Sequence, residues 1–295
     1  MITTGIINVL KPAGMTSHDV VSFIRKTFAT KKVGHAGTLD PDAAGVLPIF
    51  IGNATRLLEY AVNGKKVYRV EFTFGSKTDS GDDSGNVIKK SAVKNLEIVD
   101  IEKVLKNFTG EIMQVPPMYS ALKVNGKKLY ELARKGIEVE REARPITIHS
   151  LKLVHYEGKY CICDVECSKG TYIRTLVEDI SESLDMYGTM TFLLRKQVAD
   201  FKLENAYTIE EILEKKEKCL LPLDLAVKEL PVLKLSNMQA LRISQGVRTT
   251  VLGTKDGIYK LETIGGRFFG IGKCLDEIVK GEKILKVFSL TDFEE

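Results

Sequence analysis

Two hydrophobic periods alternate along the chain, one typical of strands and the other of helices. Apolar and polar side chains alternate strictly over residues 67–74 (VYRVEFTF), which predicts a strand with one buried face. Ile101, Val104, Leu105 and Phe108 recur at helical spacing before Gly110, which predicts a helix that stops there. A second apolar helical stripe over residues 171–184 leaves Arg174 off the stripe, in the first turn. Helical and strand periods are interleaved without a repeat, so we expect a mixed α+β fold.

The last quarter of the chain has a different pattern. Ser236 and Gln239 form a capping-box signature, and Gly246 is a natural end for the helix that they start. Short strand-like runs interrupted by glycines follow to the end of the sequence. This pattern is typical of a small β barrel with one helix. We therefore predict two domains, residues 1–229 and 230–295.

Composition narrows the class of protein. The chain has 295 residues, 44% hydrophobic and 28% charged, with 43 Lys+Arg against 39 Asp+Glu. A length of roughly two domains with this balance excludes overall disorder. No apolar run approaches the ~18 residues of a membrane span, and the first residues do not resemble a signal peptide. Five cysteines, an odd number, favour a reducing compartment, so we expect a cytoplasmic protein without a membrane partner.

Several motifs that suggest a bound ion or cofactor fail on spacing. Cys161, Cys163 and Cys167 share one strand parity, which favours a buried strand face over a metal site. Residues 79–85 (DSGDDSG) lack the spacing of a calcium loop, and we interpret them as a solvated turn. Residues 270–273 (GIGK) lack the full phosphate-loop pattern and are interpreted as a strand with close backbone contacts. We expect neither a metal nor a cofactor.

Residues 34–48 (GHAGTLDPDAAGVLP) are the most unusual stretch of the sequence. Pro41 disfavours helical geometry at Asp40 and could open a helical turn after it. Asp40 could then be an ordinary N-cap. Alternatively, a loop constrained by glycine and proline presents a single carboxylate at a fixed position. The pattern alone leaves both interpretations open.

Positive charge is concentrated in residues 121–152, where eight basic residues face four glutamates, a net charge of +4. This equals the net charge of the whole chain. A solvated helical surface would explain such a run. The alternative is a basic arm that closes over a phosphate backbone.

Five ordered blocks of the sequence resemble the TruB family of tRNA pseudouridine synthases. They are KPAGMTSHDVV (11–21), GHAGTLDPDAAGVLPIFIGNATRLLEY (34–60), PPMYSALKVNGKKLYELAR (116–134), REARPI (141–146) and CSKGTYIRTL (167–176). The resemblance implies a pseudouridine synthase fold with a mixed, largely antiparallel central sheet and a small C-terminal PUA-like β barrel. It also implies a cofactor-free isomerisation of uridine 55 in the T loop of tRNA. We expect a monomer that needs no protein partner.

The resemblance further assigns a role to each matching residue. The essential carboxylate corresponds to Asp40, paired with Arg174, and the proton acceptor that stacks on the target base corresponds to Tyr68. Tyr172 would contact the uracil, His35 would help to splay out the nucleotide, and Leu194 would line the pocket. A fixed carboxylate suits this reaction, because breaking an N-glycosidic bond develops positive charge on the sugar. An adjacent arginine would keep that carboxylate ionised.

The target base must leave its stack before it reacts, which costs a few kcal/mol and requires phosphate contacts. We expect the basic segment to supply these contacts. The expected phosphate contacts are Lys123, Lys127, Lys128, Arg141 and Arg144.

Two other functions stay open. One is an RNA-binding or tRNA-folding protein without catalysis. The other is a glycoside or nucleoside hydrolase that uses Asp40 and Asp42 as acid and base.

Overall fold

The computed structural model describes residues 3–124 and 126–293. The described part contains eighteen strands and seven α-helices. The strands are β1 Gly5–Lys11, β2 Val33–His35, β3 Ala44–Ile51, β4 Lys66–Phe74, β5 Ser76–Thr78, β6 Val87–Lys90, β7 Gly110–Gln114, β8 Lys123–Val124, β9 Lys127–Lys128, β10 Arg144–Glu157, β11 Tyr160–Cys167, β12 Gly188–Val198, β13 Phe201–Lys202, β14 Val232–Leu235, β15 Thr249–Thr250, β16 Gly257–Thr263, β17 Phe268–Leu275 and β18 Ile278–Ile284. The helices are α1 Ser17–Thr27, α2 Leu58–Asn63, α3 Ile98–Asn107, α4 Leu129–Ala133, α5 Ile173–Glu182, α6 Ile209–Lys215 and α7 Asn237–Ser244. No helix among these residues combines the length and hydrophobicity needed to cross a membrane.

A nine-stranded sheet forms the centre of the molecule, in the order β1-β3-β12-β4-β11-β10-β7, with β2 on β3 and β13 on β12. The pairing of β12 with β3 is parallel, and the other pairings of this sheet are antiparallel. The mixed, largely antiparallel sheet is thus confirmed. Its strand order brings β3, β12 and β4 side by side, although they lie far apart in the sequence.

The alternation in β4 has the expected result, because Tyr68, Val70, Phe72 and Phe74 are buried and the residues between them are partly exposed. Helix α5 packs its apolar stripe against this face in one hydrophobic cluster. The three cysteines of β11 join the same cluster, which confirms the buried-strand interpretation. Among the described residues, no group of His, Cys, Asp or Glu is placed to hold a metal ion.

The basic segment 121–152 is not one structural unit, contrary to the expectation. Residues 121–143 comprise the short hairpin of β8 and β9, helix α4 and a connecting loop. From Arg144 onward the chain is β10, which lies between β11 and β7 in the central sheet. The division follows from hydrophobicity, because Ile146 and Ile148 are buried in the core. We use the name "basic arm" for residues 121–143 below.

The C-terminal residues form a second sheet in the order β14-β16-β17-β18-β15, with α7 packed on it. The capping box of Ser236 and Gln239 is present. The glycines of the GIGK stretch lie in β17, where a Cβ on Gly270 would come within 2.5 Å of a carbonyl oxygen of β18. β14 and β15 occupy the edges of this sheet, so it is an open, half-barrel sheet and the prediction of a closed β barrel is corrected.

The second sheet shares a hydrophobic cluster with the first. Ile271 and Leu285 are buried together with Phe50 and Leu57. The Asn53 side-chain amide also donates to the carbonyl of Leu285 at 3.1 Å. The C-terminal unit is therefore docked on the rest of the chain through an apolar contact.

Candidate active site

The loop between β2 and β3 carries Asp40. Its backbone turns where the Ala43 amide donates to the Asp40 carbonyl at 3.2 Å, with Pro41 at the second position of the turn, where proline is favoured. The prediction that Pro41 opens a helical turn is wrong, since β3 begins at Ala44. The pairing of β3 with β1 draws the chain into an extended conformation.

Two side chains from the KPAGMTSHDVV block brace this loop on either side of Asp40. The Ser17 hydroxyl accepts from the Leu39 amide at 2.9 Å and donates to the Leu39 carbonyl at 3.1 Å. The Lys11 ammonium donates to the carbonyls of Pro41, Pro12 and Met15 at 2.9, 2.8 and 2.5 Å. Both side chains are buried. The sequence singled out neither residue, although both lie in a block that resembles the family.

Arg174 and Asp40 lie together, with Arg174 Nε 3.2 Å from Asp40 Oδ2. The guanidinium also donates to the carbonyls of Ser80 and Tyr119, each at 2.8 Å. Its side chain is 8% exposed, whereas that of Asp40 is 38% exposed. The arginine is thus fixed in the protein, and one side of the carboxylate remains open to a substrate.

The DSGDDSG stretch lies beside Arg174. Asp79, Asp83 and Ser84 are exposed, as expected of a solvated turn, whereas Ser80 and Gly81 are buried and Asp82 is half-buried. Asp82 Oδ2 lies 3.6 Å from Arg174 Nη1, and its side chain is 18% exposed. The Ser80 hydroxyl donates to Asp82 Oδ1 at 2.6 Å. A polar composition indicated exposure, but a buried guanidinium supplies the donors that these polar groups need.

Burial has the largest effect on Asp40 and raises its pKa above the ordinary value of an aspartate. The nearby Asp82 acts in the same direction, while the positive charge of Arg174 lowers the pKa. Arg174 therefore acts as expected but does not outweigh burial. The carboxylate is thus partly withdrawn from water, which strengthens its interaction with a developing positive charge.

Two tyrosines flank this pair. Tyr68 is 7% exposed on the buried face of β4, and burial raises the pKa of its hydroxyl. Tyr172 directly precedes α5 and is half-buried. The buried Gln114 amide holds its backbone, accepting from the Tyr172 amide at 2.8 Å and donating to its carbonyl at 3.0 Å. No local pattern indicates this role of Gln114, because it depends on β7 lying next to α5.

His35 and Leu194 have different surroundings. His35 is half-buried in β2, and burial lowers its pKa. Leu194 pairs with Arg69 across β12 and β4, whereas Leu193 pairs with Val70. Since paired residues share a face, the side chain of Leu193 lies on the face of Tyr68 and that of Leu194 lies on the opposite one. The expectation that the Leu194 side chain lines the pocket is corrected accordingly, because Leu193 and not Leu194 faces the same side of the sheet as Tyr68.

The five expected phosphate contacts are divided among three places. Lys123 and Lys127 are exposed in the β8–β9 hairpin, and Lys128 lies over the ring of Tyr130. Arg141 is 19% exposed and lies 3.3 Å from Glu138. Arg144 is exposed at the start of β10, where its charge reaches Tyr172.

The arrangement offers one accessible carboxylate, a fixed guanidinium and two aromatic hydroxyls. It does not pair Asp40 with Asp42 as a hydrolase would require, because Asp42 is exposed and the carboxylate across Arg174 is Asp82. A reaction that develops charge on a sugar while a flat base leaves it would fit these groups.

Comparisons with known proteins agree with this chemistry. Residues 25–173 match the description "TruB family pseudouridylate synthase (N terminal domain)". The chain is 47% identical over 287 residues to "tRNA pseudouridine synthase B" of Caldanaerobacter subterraneus subsp. tengcongensis, covering 96% of this chain and 98% of that protein. It is 52% identical over 222 residues to the protein of the same name from Alkaliphilus oremlandii, covering 75% and 74%.

Solved structures show the same architecture. A chain in "Crystal Structure of a Cbf5-Nop10-Gar1 Complex" is 25% identical, with a TM-score of 0.75 over 96% of this chain and 85% of that one. A chain in "Crystal structure of the archaeal box H/ACA sRNP Nop10-Cbf5 complex" is 23% identical, with a TM-score of 0.72 over 96% and 86%. The second likeness concerns the fold alone.

Proposed function

The chain belongs to the TruB family and is a tRNA pseudouridine synthase, an isomerase; we propose that it acts on uridine 55 in the T loop with Asp40 as the essential carboxylate. The observation that carries this proposal is the Asp40–Arg174 pair, in which the arginine is buried and the carboxylate is partly accessible. Such an arrangement suits a carboxylate that must meet a sugar or a base.

The proposed reaction breaks the bond between N1 of uracil and C1′ of the ribose. The base then turns, C5 joins C1′, C5 loses a proton and N1 gains one, so no atom is gained or lost. Asp40 stabilises the positive charge on the sugar or adds covalently. Tyr68 accepts the C5 proton and offers its ring to the base, while Tyr172 contacts the uracil.

RNA binding supplies the energy for extruding the base. The exposed Lys123 and Lys127 of the β8–β9 hairpin, together with Lys128, Arg141 and Arg144, would neutralise phosphates of the T arm. The basic arm also connects directly to the site, because the Tyr119 carbonyl, close before it, accepts from Arg174. His35 lies at the start of the Asp40 loop, where it would help to separate the target nucleotide from its neighbours.

For residues 230–295 we propose a PUA-like RNA-binding role, with residues 1–229 as the catalytic domain. Lys273 and Lys280 are paired across β17 and β18 and are exposed, which gives this sheet a basic spot on its surface. We also propose a cytoplasmic monomer without a protein partner. The five cysteines, all buried as free thiols, agree with a reducing compartment, and sedimentation of the full chain tests the monomer.

The experiment compares wild type, Asp40→Asn and Asp42→Asn on unmodified tRNA, with pseudouridine mapped along the RNA. Asp42→Asn is the matched control, because it makes the same change two residues away at an exposed position. We expect product at uridine 55 with wild type and the control and none with Asp40→Asn. Full product with Asp40→Asn would refute the role of Asp40. Release of free uracil would instead identify a hydrolase, and tRNA folding unaffected by Asp40→Asn would support an activity without catalysis.

A further inference from the structure

Arg195 is the largest fully buried side chain of the described residues. Its donors go to main-chain carbonyls: Nε to Val46 at 2.8 Å, Nη1 to Thr38 at 3.2 Å and Nη2 to Gly37 at 3.0 Å. Within residues 3–124 and 126–293 it forms no salt bridge. Burying a charge without a charged partner costs free energy. The dipoles of the neighbouring carbonyls and the groups of the active site must offset this cost for Arg195.

The first consequence concerns the Asp40 loop. The three carbonyls lie before and after Asp40, so a single guanidinium ties together the two ends of the loop. Gly45 allows the close approach, since a Cβ there would lie 2.2 Å from the Arg195 carbonyl oxygen. Its φ of +118° is also a conformation that other residues rarely adopt. The loop and β12 are thus packed backbone to backbone next to Arg195.

The second consequence concerns Tyr68. Arg195 and Tyr68 are paired directly across β12 and β4, so their side chains leave the sheet on the same face. The guanidinium lies beside the hydroxyl, and its positive charge lowers the pKa of Tyr68, opposing the increase caused by burial. The same side chain therefore bonds the loop that bears Asp40 and lies close enough to the Tyr68 hydroxyl for its charge to act on it.

We propose that Arg195 is a positioning residue that fixes the Tyr68 hydroxyl relative to Asp40 and stabilises the phenolate form of that hydroxyl. The proposal rests on the proposed role of Tyr68. When C5 has joined C1′, the phenolate oxygen takes the C5 proton, the C–H electron pair restores the C5–C6 double bond, and N1 takes up a proton. A fixed cation next to the oxygen favours the ionised form that this step requires.

The test is a double-mutant cycle of Arg195→Lys and Tyr68→Phe, measured as the single-turnover rate of pseudouridine formation with saturating enzyme. Arg195→Lys keeps a positive charge but lacks the fork that reaches three carbonyls. We expect it to lower the rate at least about tenfold, as displacement of reacting groups does. We expect tRNA affinity to stay within about twofold, since the buried Arg195 is away from the basic arm. If Arg195 acts through Tyr68, the double variant should be no slower than Tyr68→Phe.

The matched control is Arg69→Lys. Arg69 is adjacent to Tyr68 in β4 but lies on the opposite face, where it pairs with Asp164 at 2.8 Å. It should leave the rate within about twofold, because exposed pairs contribute little. Losses that multiply in the double variant, or a loss confined to tRNA affinity, would overturn the proposal.

Arg195→Gln serves as a second variant if Arg195→Lys does not fold. If neither variant folds, Arg195 has a structural role only and the inference fails. Failure of the proposed function gives a different result, namely no product with wild type or a wild-type rate with Tyr68→Phe.

Discussion

The brace between Ser17 and Leu39 allows a prediction about a residue that does not contact the substrate. In wild type, the buried Ser17 hydroxyl bonds both the amide and the carbonyl of Leu39, at 2.9 and 3.1 Å. Ser17→Ala removes both bonds and leaves two peptide groups without partners beside the core. At about 1 kcal/mol per bond, the free energy of unfolding should fall by about 2 kcal/mol, and by more if water cannot reach Leu39.

The same change should slow catalysis, because Leu39 directly precedes Asp40. A shift of about 1 Å in a catalytic group can cost about 100-fold in rate, so we expect kcat to fall between about 10-fold and 100-fold. The KM for tRNA should change little, since Ser17 is buried and has no surface on which tRNA could bind.

Urea denaturation gives the change in unfolding free energy, and steady-state pseudouridine formation on unmodified tRNA gives kcat and KM. Ser22→Ala is the matched control, because Ser22 lies on the same helix at an exposed position. It should alter the unfolding free energy by less than about 0.5 kcal/mol. Equal stability and equal kcat for the two variants would refute the claim that Ser17 holds the loop.

Three other changes test separate features. Burial lowers the pKa of Lys11 to about 8. Between pH 8 and the ordinary lysine pKa, the unfolded chain therefore binds more protons than the folded chain, so the stability advantage of wild type over Lys11→Met should rise from pH 8 to 10 in urea titrations. A difference that stays flat over this range would contradict the prediction. Replacing Lys127 and Lys128 by alanine should weaken tRNA binding and flatten its salt dependence, as measured by filter binding. The control is the double variant Lys103→Ala and Lys106→Ala, on the exposed side of α3. An unchanged dependence of binding on salt concentration would exclude the hairpin as a phosphate contact. Alanine at Lys273 and Lys280 should lower tRNA affinity and leave kcat unchanged, and the reverse pattern would indicate a catalytic role for the second sheet. These substitutions test that sheet better than its deletion, because Ile271 and Leu285 are part of a shared core.

Local patterns in the sequence determined the parts of the fold that depend on neighbouring residues. The parity of residues 67–74 predicts β4, and the apolar stripe after Tyr172 predicts α5. The capping box at Ser236 is equally local. Such features are visible in a sequence because a strand or helix repeats its environment every two or 3.6 residues. The motif blocks also directed attention to Asp40 and Arg174, and the family resemblance added Tyr68.

Tertiary structure decided which residues surround the carboxylate. Arg174 reaches Ser80 across 94 positions, and Arg195 reaches Thr38 across 157. No periodicity predicts these contacts, because they follow from the order β3-β12-β4 in the sheet and from the packing of α5 on it. The same ordering placed Ser80 and Asp82 of the DSGDDSG turn against Arg174 and divided the basic segment at Arg144. The sequence by itself therefore determined local elements and pointed to Asp40 as the candidate carboxylate, whereas long-range strand pairing decided the partners, the burial and the pKa of that carboxylate.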